Sequence, residues 1–159
     1  MVDHGRQSGE QRQSGGAARK RVQELAQRKQ KEFDDMMRLL KERVEEINAN
    51  RGNLPEFVVR GSSIVQLGHI ELHLEFDQLF PNPTEFVLVL KVGVPDNKKP
   101  MFGSAPPSVR HMLQPAVSDD LSRIVWVDKV GNLRRVTSAW LVEFALDLLT
   151  SYYRQHTPN

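Results

Sequence analysis

The chain contains no cysteine. Disulfides, thiolate metal sites and a thiol nucleophile are therefore excluded, and a cytoplasmic setting fits, since thiols stay reduced there and disulfides are rare. Long apolar runs are missing too. None approaches the ~20 residues that a bilayer-spanning helix needs, and the polar N-terminus lacks an apolar signal core. No membrane contact and no secretion by that route are expected. Gly61, Gly68 and Gly103 stand alone, not in a phosphate-cradling pattern. No Phe, Tyr or Trp precedes Phe33, so the N-terminal stretch offers no ring on which a base can stack. Glu71, Glu75 and Asp77 supply carboxylates, and His111 and His156 lie in polar contexts, but no activated nucleophile or cofactor loop joins them. Neither an enzyme activity nor a cofactor is expected.

The 159 residues suffice for one domain with a real core. The formal net charge of +2 is unevenly spread: residues 1–31 carry eight Lys/Arg against three Asp/Glu, residues 32–51 four against six, and residues 52–159 ten against eleven. Basic character thus belongs to an N-terminal arm, and the remainder is not a nucleic-acid surface as a whole.

The most informative stretch is Val87 to Val94, a short β-branched run bounded by Pro83 and Pro95. It reads as a central strand covered on both faces. Residues 1–16 are Gly, Ser, Gln and charge, and read as a disordered tail. Residues 17–50 lack Pro and Gly and are rich in helix formers, which predicts one long helix. Its stripe of Phe33, Met36, Met37, Leu40, Val44 and Ile47 marks a packed C-terminal half, while its basic first half projects. Residues 51–155 then form the rest of the domain, with a tail at 156–159. Strands are expected at Phe57–Val59, from Ile64 to Phe76 with a bend at Gly68, along Val87–Val94, and as a hairpin flanking Gly131. Residues 95–123 read as a long proline-rich surface loop holding one or two helical turns near 107–114. Ser138 is expected to cap a final, widely apolar helix.

The fold class that follows is α+β: an antiparallel sheet of about five strands, a long N-terminal helix and a buried C-terminal helix, in the order α-βββ-(short α)-ββ-α. This order resembles that of type III secretion chaperones and related α+β modules over about residues 33–155. The likeness lies in the order of elements, not in shared motif residues. It implies a small chaperone- or adaptor-like binding module.

Three sets of residues are candidates for function. The leading reading is a non-enzymatic protein-interaction module that binds a partner or a second copy of itself. Met36 and Leu40 on the helix stripe, and Lys98, Lys99, Met101 and Phe102 at the tip of the long loop, are its expected contacts. The alternative is an accessory nucleic-acid-binding protein that meets phosphates with Arg19, Lys20, Arg21, Arg28, Lys29 and Lys31. Third, His69-x-Glu71-x-His73 has metal-ligand residue types. On a regular strand its histidines stand about 13 Å apart at ~3.3 Å per residue, too far to share one ion. It reads as the solvated face of a half-buried strand, and no metal is expected.

Overall fold

A computed structural model of the chain describes residues 4–99, 106–128 and 134–157, with side chains from residue 15 onward. Its elements are helix α1 (His4–Ala49), strands β1 (Phe57–Arg60), β2 (Ile64–Leu67), β3 (Ile70–Gln78), β4 (Phe86–Gly93), β5 (Val109–Val117), β6 (Ile124–Asp128) and β7 (Arg135–Val136), and helix α2 (Ser138–His156). A short 3-10 turn at Asp96–Lys98 follows β4. The seven strands pair in sequence order, each antiparallel to the next. The α+β class holds, with seven strands in place of about five.

Two local features account for the extra strands. Gly68 does not bend one long strand. With φ at +60° it closes a tight turn between β2 and β3, a conformation that glycine adopts without a Cβ penalty. Residues 109–117 form strand β5 instead of a loop with helical turns. Pro115 is one of the prolines that make 95–123 read as a loop, since proline lacks a ladder donor, yet it stands opposite Trp126 of β6. Pairing with β4 ends at Leu88 and Leu113, two residues before Pro115, so the proline has a paired neighbour on one side only. A missing donor is tolerated there.

β4 is the fourth of seven strands and therefore central, but it is covered on one face only. Phe86, Leu88, Leu90 and Val92 are buried beneath the helices, while Val87 and Val89 are half-exposed and Lys91 is exposed. Both helices lie on that one face and share a core with it, including Met36, Leu40, Leu74, Leu90, Leu141 and Leu149. On the open face Val87 stands opposite Asp77, and Val89 between Glu75 and Met112, so the β-branched run there is half-exposed and does not mark a second covered face.

α1 runs back to His4, well before the Ala17 start that composition favours. The extension includes Gly5, Gly9, Gly15 and Gly16, each unfavourable in a helix interior by about 1 kcal/mol, so composition does not account for it. Its end is set by Asn50, whose N–H donates to the Ile47 carbonyl at 3.0 Å, and by Gly52 at φ +63°. Asn48 then docks the helix on the edge strand. Its amide accepts from the Phe57 N–H at 2.8 Å and donates to the Phe57 carbonyl at 2.9 Å, filling part of an edge that a foreign strand would otherwise pair with.

A chain of rings fixes the other end of the packed helix. Phe33 stacks on Phe76 at 4.8 Å, Phe76 on Phe86 at 4.8 Å, and the Trp126 indole meets Phe76 edge-on at 5.7 Å. The buried Trp126 N–H donates to Ser138 Oγ at 2.9 Å, and Ser138 Oγ donates to Glu32 Oε1 at 3.0 Å. One hydroxyl thus ties β6, α2 and α1 together. The cap of α2 is Thr137, not Ser138: its side chain accepts from the Trp140 N–H, leaving the Ser138 hydroxyl free for the core.

Candidate functional site

α1 separates into an arm and an anchored part at about residue 25. Every residue from 15 to 24 is exposed, and nothing lies within 4 Å of where a Cβ on Gly15 or Gly16 would sit. Arg19, Lys20 and Arg21 stand in this stretch and make no ion pair among the described residues. The other three nominated cations are engaged. Lys29 Nζ donates to the Thr84 carbonyl at 2.6 Å, Arg28 Nη2 to the Leu121 carbonyl at 3.4 Å, and Lys31 pairs with Asp35 at 3.6 Å. Burial pulls the Lys29 ammonium below its usual pKa, against the opposing pull of Glu85. The six basic residues are therefore not one patch.

The carbonyls that hold Arg28 and Lys29 belong to two turns at the same end of the sheet, one joining β3 to β4 and the other β5 to β6. Both are stiffened by side-chain hydrogen bonds. In the first, Asn82 Oδ1 accepts from the Thr84 N–H and hydroxyl, Gln78 donates to the Pro83 carbonyl, and the Phe80–Pro81 bond is cis. In the second, Asp120 Oδ1 accepts from the Ser118 hydroxyl at 2.6 Å and from the Ser122 hydroxyl and N–H. Those bonds hold the Asp120 carboxyl far below the ordinary carboxylate range. They also fix Leu121 at φ +62°, a conformation a branched side chain rarely adopts. Phe80 is 96% exposed and Leu121 72% exposed. The sequence gives no hint of this pairing: Phe80 and Leu121 are far apart in the chain, and each reads alone as an unremarkable loop residue.

Met36 and Leu40, expected at a contact surface, lie in the chain's own core at 2% and 1% exposure. Lys98 and Lys99 are exposed at the opposite end of the sheet, where Lys99 Nζ meets Asp96 Oδ1 at 2.7 Å and holds that carboxyl below its usual pKa. Met101 and Phe102 lie outside the described residues. Of the four, the two that are described, Lys98 and Lys99, are not brought together with Met36 and Leu40.

The histidine pattern also dissolves. His69 sits in the β2–β3 turn, its ring 6.2 Å from Tyr153 of α2. His73 faces the open side of the sheet, where its Nε2 is 2.8 Å from Glu71 Oε2. Glu71 is 5% exposed, contrary to a solvated face, because Arg60 and His73 close over it and Arg60 Nη2 donates to its other oxygen. No cluster of three His, Asp or Glu placed for a metal occurs among the described residues. No helix among them is long and apolar enough to cross a membrane.

Comparison of the chain with protein-family models, with curated proteins and with solved structures finds no match.

Proposed function

We propose that this chain is a non-enzymatic protein-interaction module, adaptor- or chaperone-like, that takes its partner at the end where α1 leaves the sheet. The observation supporting this is the pair Phe80 and Leu121, held outward on two stiff turns next to a basic helix. Single apolar side chains scattered on a surface need no explanation. Two large ones on the turns of adjacent hairpins, with Arg19, Lys20 and Arg21 further out along the helix that Arg28 and Lys29 fasten to those turns, suit a partner segment with apolar anchors and acidic flanks. The stripe containing Met36 and Leu40 lends no support to a homodimer, because those side chains are internal.

Peptides selected by display against the full chain are expected to carry Asp and Glu around Leu, Phe or Trp. Replacing Phe80 and Leu121 together by Ser should weaken their binding about tenfold or more. The melting temperature should stay near that of the unaltered chain, since neither side chain is packed. Selected peptides without acidic residues, or peptides indifferent to the double change, would overturn the assignment.

A second reading, accessory nucleic-acid binding, is favoured by the exposure of Arg19, Lys20 and Arg21 on a projecting helix. Retention on immobilised nucleic acid should then fall steeply with salt and vanish when residues 1–24 are deleted. That cut removes no described residue that is buried, whereas cutting at residue 31 would also remove the Arg28 and Lys29 anchors. Equal retention of the full and shortened chains would remove this reading.

A further inference from the structure

We infer that the chain holds a separate ligand site: a cavity of about 250 Å³ beside the N-terminal half of α2, which takes a planar aromatic group bearing an anionic substituent. The inference is independent of the arm end. α2 packs against α1 and, on the sheet, against β2, β3, β4 and β6. The cavity opens beside β5, where His111, not an aliphatic side chain, takes the inward register position opposite Leu90. The His111 ring stands edge-on to Phe144 at 5.2 Å and leaves the space between strand and helix unfilled.

The lining fixes the chemistry. Leu113 and Leu141 are buried at 4% and 1% exposure and form the apolar bottom, while Trp140 at 46% exposure stands at the mouth. Trp140 and Phe144 stack on each other at 5.2 Å with their planes within 10°, so each ring keeps one outer face, and that of the half-exposed Trp140 is a flat aromatic surface. Flat rings are what such a surface holds best. An apolar cavity of about 150 Å³ already accepts benzene, so this larger one has room for a fused two-ring system. Two charged groups lie at the cavity. Asp128 makes its own interaction within the chain. Arg134 is exposed and makes no ion pair among the described residues, and its planar guanidinium matches a carboxylate or sulfonate in two parallel hydrogen bonds.

The test uses the full chain, nitrogen-15 labelled, titrated with 2-naphthoate. The two tryptophan indole signals give an internal control. The Trp140 signal should move, and that of Trp126, buried and bonded to Ser138, should not. By calorimetry, Arg134→Gln should weaken 2-naphthoate about fivefold and leave the neutral 2-naphthalenemethanol nearly unchanged. Trp140→Ala should abolish binding of both probes with little change in melting temperature. A Trp140 signal that stays still at millimolar naphthoate overturns the site. Equal effects of Arg134→Gln on the charged and neutral probes overturn the anionic requirement.

Discussion

Replacing Leu40 by Glu is expected to abolish cooperative folding, not to separate subunits. Leu40 is 1% exposed in a cluster that joins α1, α2 and the covered sheet face. Truncating such a leucine to Ala removes about 2–5 kcal/mol. A carboxylate in the same place adds the desolvation of an unpaired charge. Against a total of about 5–15 kcal/mol for an ordinary domain, the sum leaves little or nothing. The control lies one residue away. Leu39 is 40% exposed, so Leu39→Glu should shift stability by no more than about 0.5 kcal/mol. Urea unfolding followed by circular dichroism separates the cases. Leu40→Ala should lower the midpoint at unchanged slope, and Leu40→Glu should show no transition at all. A Leu40→Glu chain that melts like the original but loses half its mass in solution would return Leu40 to an interface.

That contrast also shows how far the sequence reaches. The period of Phe33, Met36, Leu40, Val44 and Ile47 identifies one apolar helix face, and the alternation from Ile70 to Phe76 identifies one apolar strand face. Both statements concern local geometry, and both hold in the fold. Neither says what lies opposite. Met36 and Leu40 read as contacts for a partner or a second copy, but seven strands present one face wide enough for both helices. The miscount of strands has the same root. A Gly68 that bends a strand and one that ends it differ only in a positive φ and in where the next chain passes. Pro115 removes a ladder bond only if a neighbour is there to receive it, and the β4–β5 pairing stops at Leu113. The arm end was legible in half. Arg19, Lys20 and Arg21 are visible in composition, whereas the engagement of Arg28 and Lys29 depends on carbonyls of Leu121 and Thr84, distant in the chain. Exposed tips such as Phe80 leave no periodic trace, because a turn has no face.

Gly68→Ala carries the second large effect, and it tests how α2 is fastened to the sheet. Two costs coincide at this position. The backbone lies at φ +60°, which costs an L-residue about 1–2 kcal/mol. A Cβ there would also stand 2.6 Å from Cε2 of Tyr153, so the ring must move and give up its contact with His69. Gly61 supplies the reference, since its φ is also +60° but nothing lies within 4 Å of its would-be Cβ. Gly61→Ala should therefore cost about the backbone amount alone, and Gly68→Ala about 1 kcal/mol or more beyond it. Adding Tyr153→Ala should cancel the excess at Gly68, so the double change should cost less than the two single changes together. Denaturant midpoints for the four chains decide the matter. Equal losses at Gly61 and Gly68 would mean that the Tyr153 ring swings aside freely, and that the last turns of α2 are not held against the β2–β3 turn by that contact.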